Sequence, residues 1–254
     1  MLKETEWTTI NNILVDIYSI DDIVKFTEKI MRIFKMLIPY TKGYFLMLDD
    51  NNKIDIEKQC FVDMDENLSQ KYINAFYDED YLKFLYDISA ETTIYKDTDI
   101  LDEEIRTQTK FYTKFLKPTD IPFGCGILIV KDKKVTAVFN LFRSEDFGDF
   151  SDKDIYILNV FKKHIENIVT NLLKTSKIDL LFKDRLETAL EKYQLTQRES
   201  QILNLLSDGL SSEEIASQLI ISLSTVKKHT YNLYNKTGVK NRAQLINQLY
   251  KSND

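Results

Sequence analysis

Apolar residues recur at helical spacing from Trp7 through Ile10, Leu14 and Ile17, lapse at Ser19-Ile20-Asp21, and resume with Ile23, Phe26, Ile30 and Leu37 before Pro39. The spacing predicts two helices with a break between them. Gly43-Tyr44-Phe45-Leu46-Met47-Leu48 is a short unbroken apolar run, the pattern of a buried strand. Asp49-Asp50-Asn51-Asn52 supplies turn residues, and Lys53 to Val62 alternates enough to pair back as a hairpin. Mixed, acidic, mainly helical sequence follows to Pro118. Gly126 to Val130, the turn Lys131-Asp132-Lys133-Lys134 and Val135 to Phe142 predict a second strand-turn-strand. From Ser151 a long helix is expected, with Ile155, Leu158, Phe161, Ile165, Ile168 and Leu172 spaced 3, 3, 4, 3, 4. This near-heptad stripe reads as a dimer interface.

The last 60 residues predict four short helices because their ends are signposted. Thr196-Gln197-Arg198-Glu199 is a capping box, followed by Ile202, Leu203, Leu205 and Leu206 and closed by Gly209. Ser211-Ser212-Glu213-Glu214 repeats the capping spacing ahead of Ile215, Ala216 and Leu219. Ser222 is placed to cap a third helix from about Leu223 to Thr237, and Gly238 to end it in the left-handed conformation. Asn241 caps a last helix through Ala243, Leu245, Ile246 and Leu249. The second and third helices form a helix-turn-helix. At 100° per residue, Val226, Thr230, Leu233 and Thr237 fall on one side of the third helix, which must face the core. Ser224, Lys227, Lys228, Tyr231 and Asn235 fall on the other. That outward face is polar and basic with no acid, as a helix lying in a major groove requires. Thr225, His229 and Lys236 flank it, where side chains reach phosphates.

Charge placement agrees. The 254 residues carry a net charge of −6, yet residues 221–254 hold six basic groups against the single acid Asp254. Residues 49–104 hold seventeen acids and five lysines. A basic end on an acidic body suits a small segment that meets a polyanion. No apolar run approaches a membrane span, and the start MLKETEWTT lacks the pattern of a signal peptide, so a cytoplasmic protein is expected. Cys60 and Cys125 fit a reducing compartment and imply no disulfide framework; as free cysteines they read as small buried hydrophobes, with redox sensing the lesser alternative. His164 and His229 belong to no metal-ligand motif, and Gly124-Cys125-Gly126 lacks the third glycine of a dinucleotide fingerprint. Neither metal nor cofactor is expected. With no convergent set of titratable groups, neither is an enzyme.

The run Leu195-Thr196…Arg198-Glu199…Ile202-Leu203…Gly209…Glu214-Ile215-Ala216…Leu219…Ser222…Thr225-Val226-Lys227…His229…Asn232…Lys236…Gly238-Val239…Asn241-Arg242 resembles the LuxR-type helix-turn-helix, with its spacing kept throughout. The resemblance implies sequence-specific binding of double-stranded DNA by a homodimer on an inverted repeat. It implies base reading at Lys227, Lys228 and Tyr231, the positions the wheel selects along with Ser224 and Asn235. It implies backbone contacts from Thr225 and His229, a set completed by the basic residues Lys236, Lys240 and Arg242. Tyr231 departs from the long polar or basic residue often found there.

The order helix, strands, helices, strands, long helix describes an α+β sensor of the GAF or PAS type. The stretches Phe111-Tyr112…Phe115-Leu116-Lys117-Pro118…Ile121-Pro122-Phe123-Gly124 and Asp149-Phe150-Ser151…Asp154…Leu158…Phe161…His164-Ile165 are similar to the domain found ahead of LuxR-type modules in a group of one-component bacterial regulators. The expected fold is therefore α+β, a GAF/PAS-like antiparallel sheet with flanking helices joined to an all-α four-helix helix-turn-helix domain. The expected divisions are 1–174, a helical connector 175–194 opening at the polar break Thr175-Ser176-Lys177, and 195–254. The connector carries Leu180, Leu181, Leu186 and Leu190 as a partly packed helix.

Expected partners are DNA, a second copy of the chain and an unidentified small-molecule effector. The sequence admits three other readings. A phosphorylatable receiver would use Asp21-Asp22, Asp49-Asp50 and Lys117-Pro118, but the acidic pair opens a helix with no strand before it. An acyl-homoserine-lactone receptor would want a tryptophan-rich pocket, and Trp7 is the one tryptophan. A first domain that only dimerises, its 14 tyrosines and 15 phenylalanines serving as plain core, is the third.

Overall fold

In a computed structural model the protein is described over residues 3–250, with side chains left aside at 177–184, 186, 187 and 250. The chain divides into two compact units, 1–173 and 174–254. Helices α1 (Glu4–Tyr18) and α2 (Ile23–Leu37) are separated where the apolar pattern lapses, and Asp22 caps α2 by accepting from Lys25 N–H. Strands β1 (Lys42–Met47), β2 (Cys60–Val62), β3 (Thr93–Lys96), β4 (Phe123–Lys131) and β5 (Lys134–Arg143) form a sheet in the order β2-β1-β5-β4-β3. Between β2 and β4 run α3 (Glu66–Lys71), α4 (Lys83–Ile88), α5 (Asp97–Ile100) and α6 (Glu103–Arg106). This segment also holds single π-turns at Tyr72–Phe76 and Tyr112–Leu116.

All the strand pairings are antiparallel. This is the GAF-like α+β architecture, and a doubly wound receiver, whose sheet is parallel, is excluded.

Both faces of the sheet are covered, which explains why β1 reads as an unbroken apolar run. On one face Phe45, Met47, Ile127, Phe139 and Leu141 pack with Phe26, Ile30 and Phe34 of α2. The same core takes in Leu158, Phe161, Ile165 and Ile168 of α7 (Asp152–Lys192). On the other face Tyr44, Leu46, Leu128, Val138 and Phe142 pack with aromatic residues of the 64–121 segment.

Three expectations need correction. The return hairpin is short: after a single bridge from Leu48 to Ile54 the chain makes a 3-10 turn, Ile56–Lys58, and pairs only over Cys60–Val62. Strand β3 lies inside the segment read as helical; its four residues TIYK are too few to show a period of two. And α7 does not break at Thr175-Ser176-Lys177 but continues to Lys192. Polar residues alone do not stop a helix that lacks Gly or Pro. Leu180, Leu181 and Leu186 lie outside the described side chains, and Leu190 is half-buried.

The second unit contains α8 (Gln197–Ser207), α9 (Ser212–Gln218), α10 (Leu223–Thr237) and α11 (Arg242–Tyr250). Their shared core includes Ile202, Leu203, Leu206, Ile215, Val226, Leu233 and Leu245.

Candidate nucleic-acid interface and interior polar cluster

The ends of α8 to α11 form as their sequences dictate. Thr196 and Glu199 close a reciprocal box, with Thr196 N–H donating to Glu199 Oε2 at 2.9 Å and Glu199 N–H to Thr196 Oγ1 at 3.3 Å. Ser211 and Glu214 do the same at α9, and Ser222 Oγ accepts from Thr225 N–H at 3.1 Å. Asn241 Oδ1 accepts from Gln244 N–H at 2.9 Å. Gly238 ends α10 at φ +73°, a conformation that costs other residues about 1 kcal/mol or more. These caps fix the length of α10 and hence which side it presents.

Val226, Leu233 and Thr237 of α10 are buried, while Ser224, Lys227, Lys228, Tyr231 and Asn235 are exposed together. Tyr231 stands 65% exposed, far above the usual burial of a tyrosine without a partner surface. Thr225 and His229 are half-buried at the edge of that face, and Lys240 is exposed.

Lys236 and Arg242 are also employed within the unit. Lys236 Nζ donates to Glu199 Oε2 at 2.7 Å and to Gln194 O at 3.0 Å. Arg242 donates to the carbonyls of Leu210, at 2.7 Å, and Leu206. Both cations are held by acceptors within the unit, which gives them a structural role beside the phosphate contacts expected of them. Burial pushes the Glu199 carboxyl up, but the bonds from Lys236 and Thr196 outweigh it and hold the group below its usual range.

In the first unit, one lateral row crosses the whole sheet: Phe61, Tyr44, Asn140, Gly126 and Tyr95, from β2 to β3. Tyr95 OH donates to Asn140 Oδ1 at 2.9 Å. Above this row sit two buried carboxylates. Asp80 accepts from Tyr72 OH at 2.8 Å, from Tyr44 OH at 3.5 Å and from Leu82 N–H at 2.9 Å. Asp97 Oδ2 accepts from Tyr81 OH at 2.8 Å. Burial lifts Asp80 to about 7 and Asp97 to about 6, against hydroxyl bonds that pull both down; the Arg106 charge also lowers Asp97. Arg106, with no exposed surface, donates to Glu103 at 2.9 Å and to Pro122 O at 2.7 Å.

Gly124 and Gly126 make room: a Cβ at Gly124 would strike the Asp97 carboxylate, and one at Gly126 would strike Phe139 O and Tyr95 OH. The two π-turns meet ring to ring, Phe76 against Phe115 at 5.1 Å and Tyr72 against Phe115 at 5.5 Å.

Comparison with known proteins bears on both units. Residues 193–249 match the family described as "Bacterial regulatory proteins, luxR family". The C-terminal unit is a LuxR-family domain. Across more of the chain, the "Monoamine regulon transcriptional regulator" of Klebsiella aerogenes is 26% identical over 220 residues, 87% of this chain and 88% of that protein. The "CsgBAC operon transcriptional regulatory protein" of Escherichia coli (strain K12) is 56% identical over 52 residues, 20% of this chain and 24% of that one. For the first unit, the solved VqsR LBD domain from Pseudomonas aeruginosa covers 65% of this chain and 97% of its own, with TM-score 0.51 and 14% identity. That likeness concerns the fold alone.

The stripe read as a dimer interface is corrected by burial. Leu158, Phe161 and Ile165 have no exposed surface, Ile168 and Leu172 are buried, and Ile155 is half-buried. Phe161 packs edge-on to Phe34 at 5.1 Å. The stripe is spent inside one protomer, because the spacing that seats a helix on a partner also seats it on its own sheet. The interior cluster of Asp80, Asp97, Arg106 and Asn140 was missed at the sequence level. Its signals were faint: one Asn in the apolar run of β5, and glycines two apart in β4 where a bulky residue would be ordinary. Cys125 is a buried thiol and Cys60 a half-buried one, with burial pushing Cys60 up to about 11 and Cys125 well above its usual range. His164 Nδ1 is engaged with Tyr18 OH at 3.0 Å.

Among the described residues, no helix is long and apolar enough to cross a membrane.

Proposed function

We propose that this chain is a cytoplasmic, one-component transcription regulator that binds a specific inverted repeat of double-stranded DNA as a homodimer, under the control of its N-terminal unit. The observation that carries the reading is the exposed face of α10 in a LuxR-family domain. Lys227, Lys228, Tyr231, Ser224 and Asn235 would read base edges, and Thr225, His229 and Lys240 would hold the backbone. The regulator names of the relatives support the same reading. Chemistry on a substrate is no part of it. Two identical modules related by a two-fold axis call for symmetric half-sites.

The test is selection of bound duplexes from a random pool by the full chain, followed by sequencing. A shared palindromic motif, bound more weakly as salt is raised, is the expected result. Recovery of unrelated sequences would overturn the reading.

A further inference from the structure

Buried carboxylates need either protons or positive charge nearby. Asp97 has Arg106 within electrostatic reach, but Arg106 is already shared with Glu103. The groups acting most strongly on Asp80 are the Leu82 N–H, Asp97 and the hydroxyls of Tyr72 and Tyr44, none of them cationic. The cluster therefore has more negative than positive charge when both carboxylates are ionised.

It is also incompletely bonded. Asp97 Oδ1, an acceptor, and Asn140 Nδ2, a donor, are buried without a hydrogen-bond partner among the described residues. Both residues are at least nine-tenths buried. Asp97 stands over Gly124, and Asn140 lies opposite Gly126 in the strand register. The two glycines are two residues apart on one strand, about 7 Å, and open the same face of the sheet. Around them stand the rings of Tyr44, Tyr72, Tyr81, Tyr95 and Phe111, whose faces attract cations. Tyr77, whose ring meets Tyr72 at 6.2 Å, also lines a surface groove of about 340 Å³ with Ile54, Ile73 and Lys83. Tyr77 thus stands between the Tyr72 ring of the cluster and that groove.

We propose that this cluster binds a small organic amine in its protonated form, with the ammonium group between Asp97 and Asp80 and a hydroxyl or carbonyl oxygen of the same molecule accepting from Asn140 Nδ2. This assignment rests on the reading of the N-terminal unit as a sensor. One donor-rich cationic end and one acceptor satisfy both orphaned atoms at once. A carboxylate ligand would add a like charge beside two others, and a hydrocarbon would leave both atoms unmet.

The experiment is thermal unfolding and calorimetric titration of the full chain at pH 7.5 with paired probes. The amines ethanolamine, tyramine and dopamine are set against neutral partners in which hydroxyl replaces the amine, and against the corresponding carboxylates. At least one amine is expected to raise the first unit's transition by about 3–5 °C at tenfold excess over its Kd. Its neutral and anionic partners should bind at least tenfold more weakly. Asp97→Asn should abolish the preference for the amine over its neutral partner, while Asp99→Asn, an exposed neighbour, should keep it. Far-UV circular dichroism identifies any variant that fails to fold, and Asn140→Ser then offers a second route, weakening these hydroxyl-bearing amines while leaving the preference for the amine over its neutral partner.

If no amine binds better than its neutral partner, the orphaned atoms are bridged by water only and the proposal is overturned. Binding to the selected DNA in the same preparations separates the two readings. Intact DNA binding with no amine preference sinks the ligand class alone, whereas loss of specific DNA binding by the unmodified protein sinks the regulator reading.

Discussion

Replacing Lys236 by Met removes the cation that faces Glu199 while keeping the length of the stem. The carboxylate is 4% exposed and Lys236 is 35% exposed, so water reaches the gap from one side only. Removing one partner of a fully buried pair costs about 3–5 kcal/mol, and leaving a buried polar group unmet about 1–3 kcal/mol. Glu199 keeps its bond from Thr196 N–H, and partial rehydration softens the loss. The expected cost is about 2 kcal/mol, a factor of about 30 in the equilibrium between folded and unfolded forms of the second unit. Hydrogen exchange of amides in α8 and α10 reads this directly, because it reports local opening in a two-unit chain where one melting temperature would not. The double variant Lys236→Met, Glu199→Gln should exchange more slowly than Lys236→Met alone, since the charge left stranded is gone. If Lys236→Met leaves exchange unchanged and instead lowers affinity for every DNA sequence alike, Lys236 is a phosphate contact and the structural role assigned to it is wrong.

Further outcomes follow from the first unit. Burial holds Asp80 at about 7 and Asp97 at about 6, above the ordinary carboxylate value of 3.8, so the folded state binds these protons more tightly than the unfolded chain. Stability should therefore fall as pH rises from about 4 to about 7 and level off above, and Asp80→Asn should flatten most of that slope in denaturant titrations. A double change Phe161→Glu, Ile165→Glu should unfold the first unit, visible as lost near-UV dichroism, since each acid would lie in its core; a well-folded monomer instead would restore the interface reading. Gly126→Ala should destabilise the unit by about 1–3 kcal/mol, because the new Cβ meets the backbone oxygen of Phe139. An unchanged melting temperature would show that β4 and β5 shift freely there.

Much of this fold was legible in the sequence because its determinants are local. The capping boxes at Thr196 and Ser211, the cap at Ser222 and the stop at Gly238 each act within four residues, and the wheel assigned the two sides of α10 correctly. What failed was information that depends on distant partners. The stripe from Ile155 to Leu172 states that a face is buried, not against what; its partners, Phe34 and Phe139 among them, come from α2 and β5. Lys236 and Arg242 look like phosphate ligands by charge, and their structural role is hidden because their acceptors, Glu199 and the carbonyls of Leu206 and Leu210, lie more than thirty residues away. The interior cluster gathers Tyr44, Asp80, Asp97, Arg106 and Asn140 from five separate segments, and no spacing rule could have joined them. Strand β3 was hidden by brevity, four residues among helical turns.

The central claim is that the outward face of α10 reads DNA sequence. It is tested most directly by measuring the affinity of the unmodified chain, Lys227→Ala and Tyr231→Ala for the selected site and for every single-base change in one half-site, at fixed salt. Each substitution should erase discrimination at one defined base position, worth about 1–3 kcal/mol, and leave the ranking at the others intact. Uniform weakening across all the duplexes, with every base preference preserved, would contradict it.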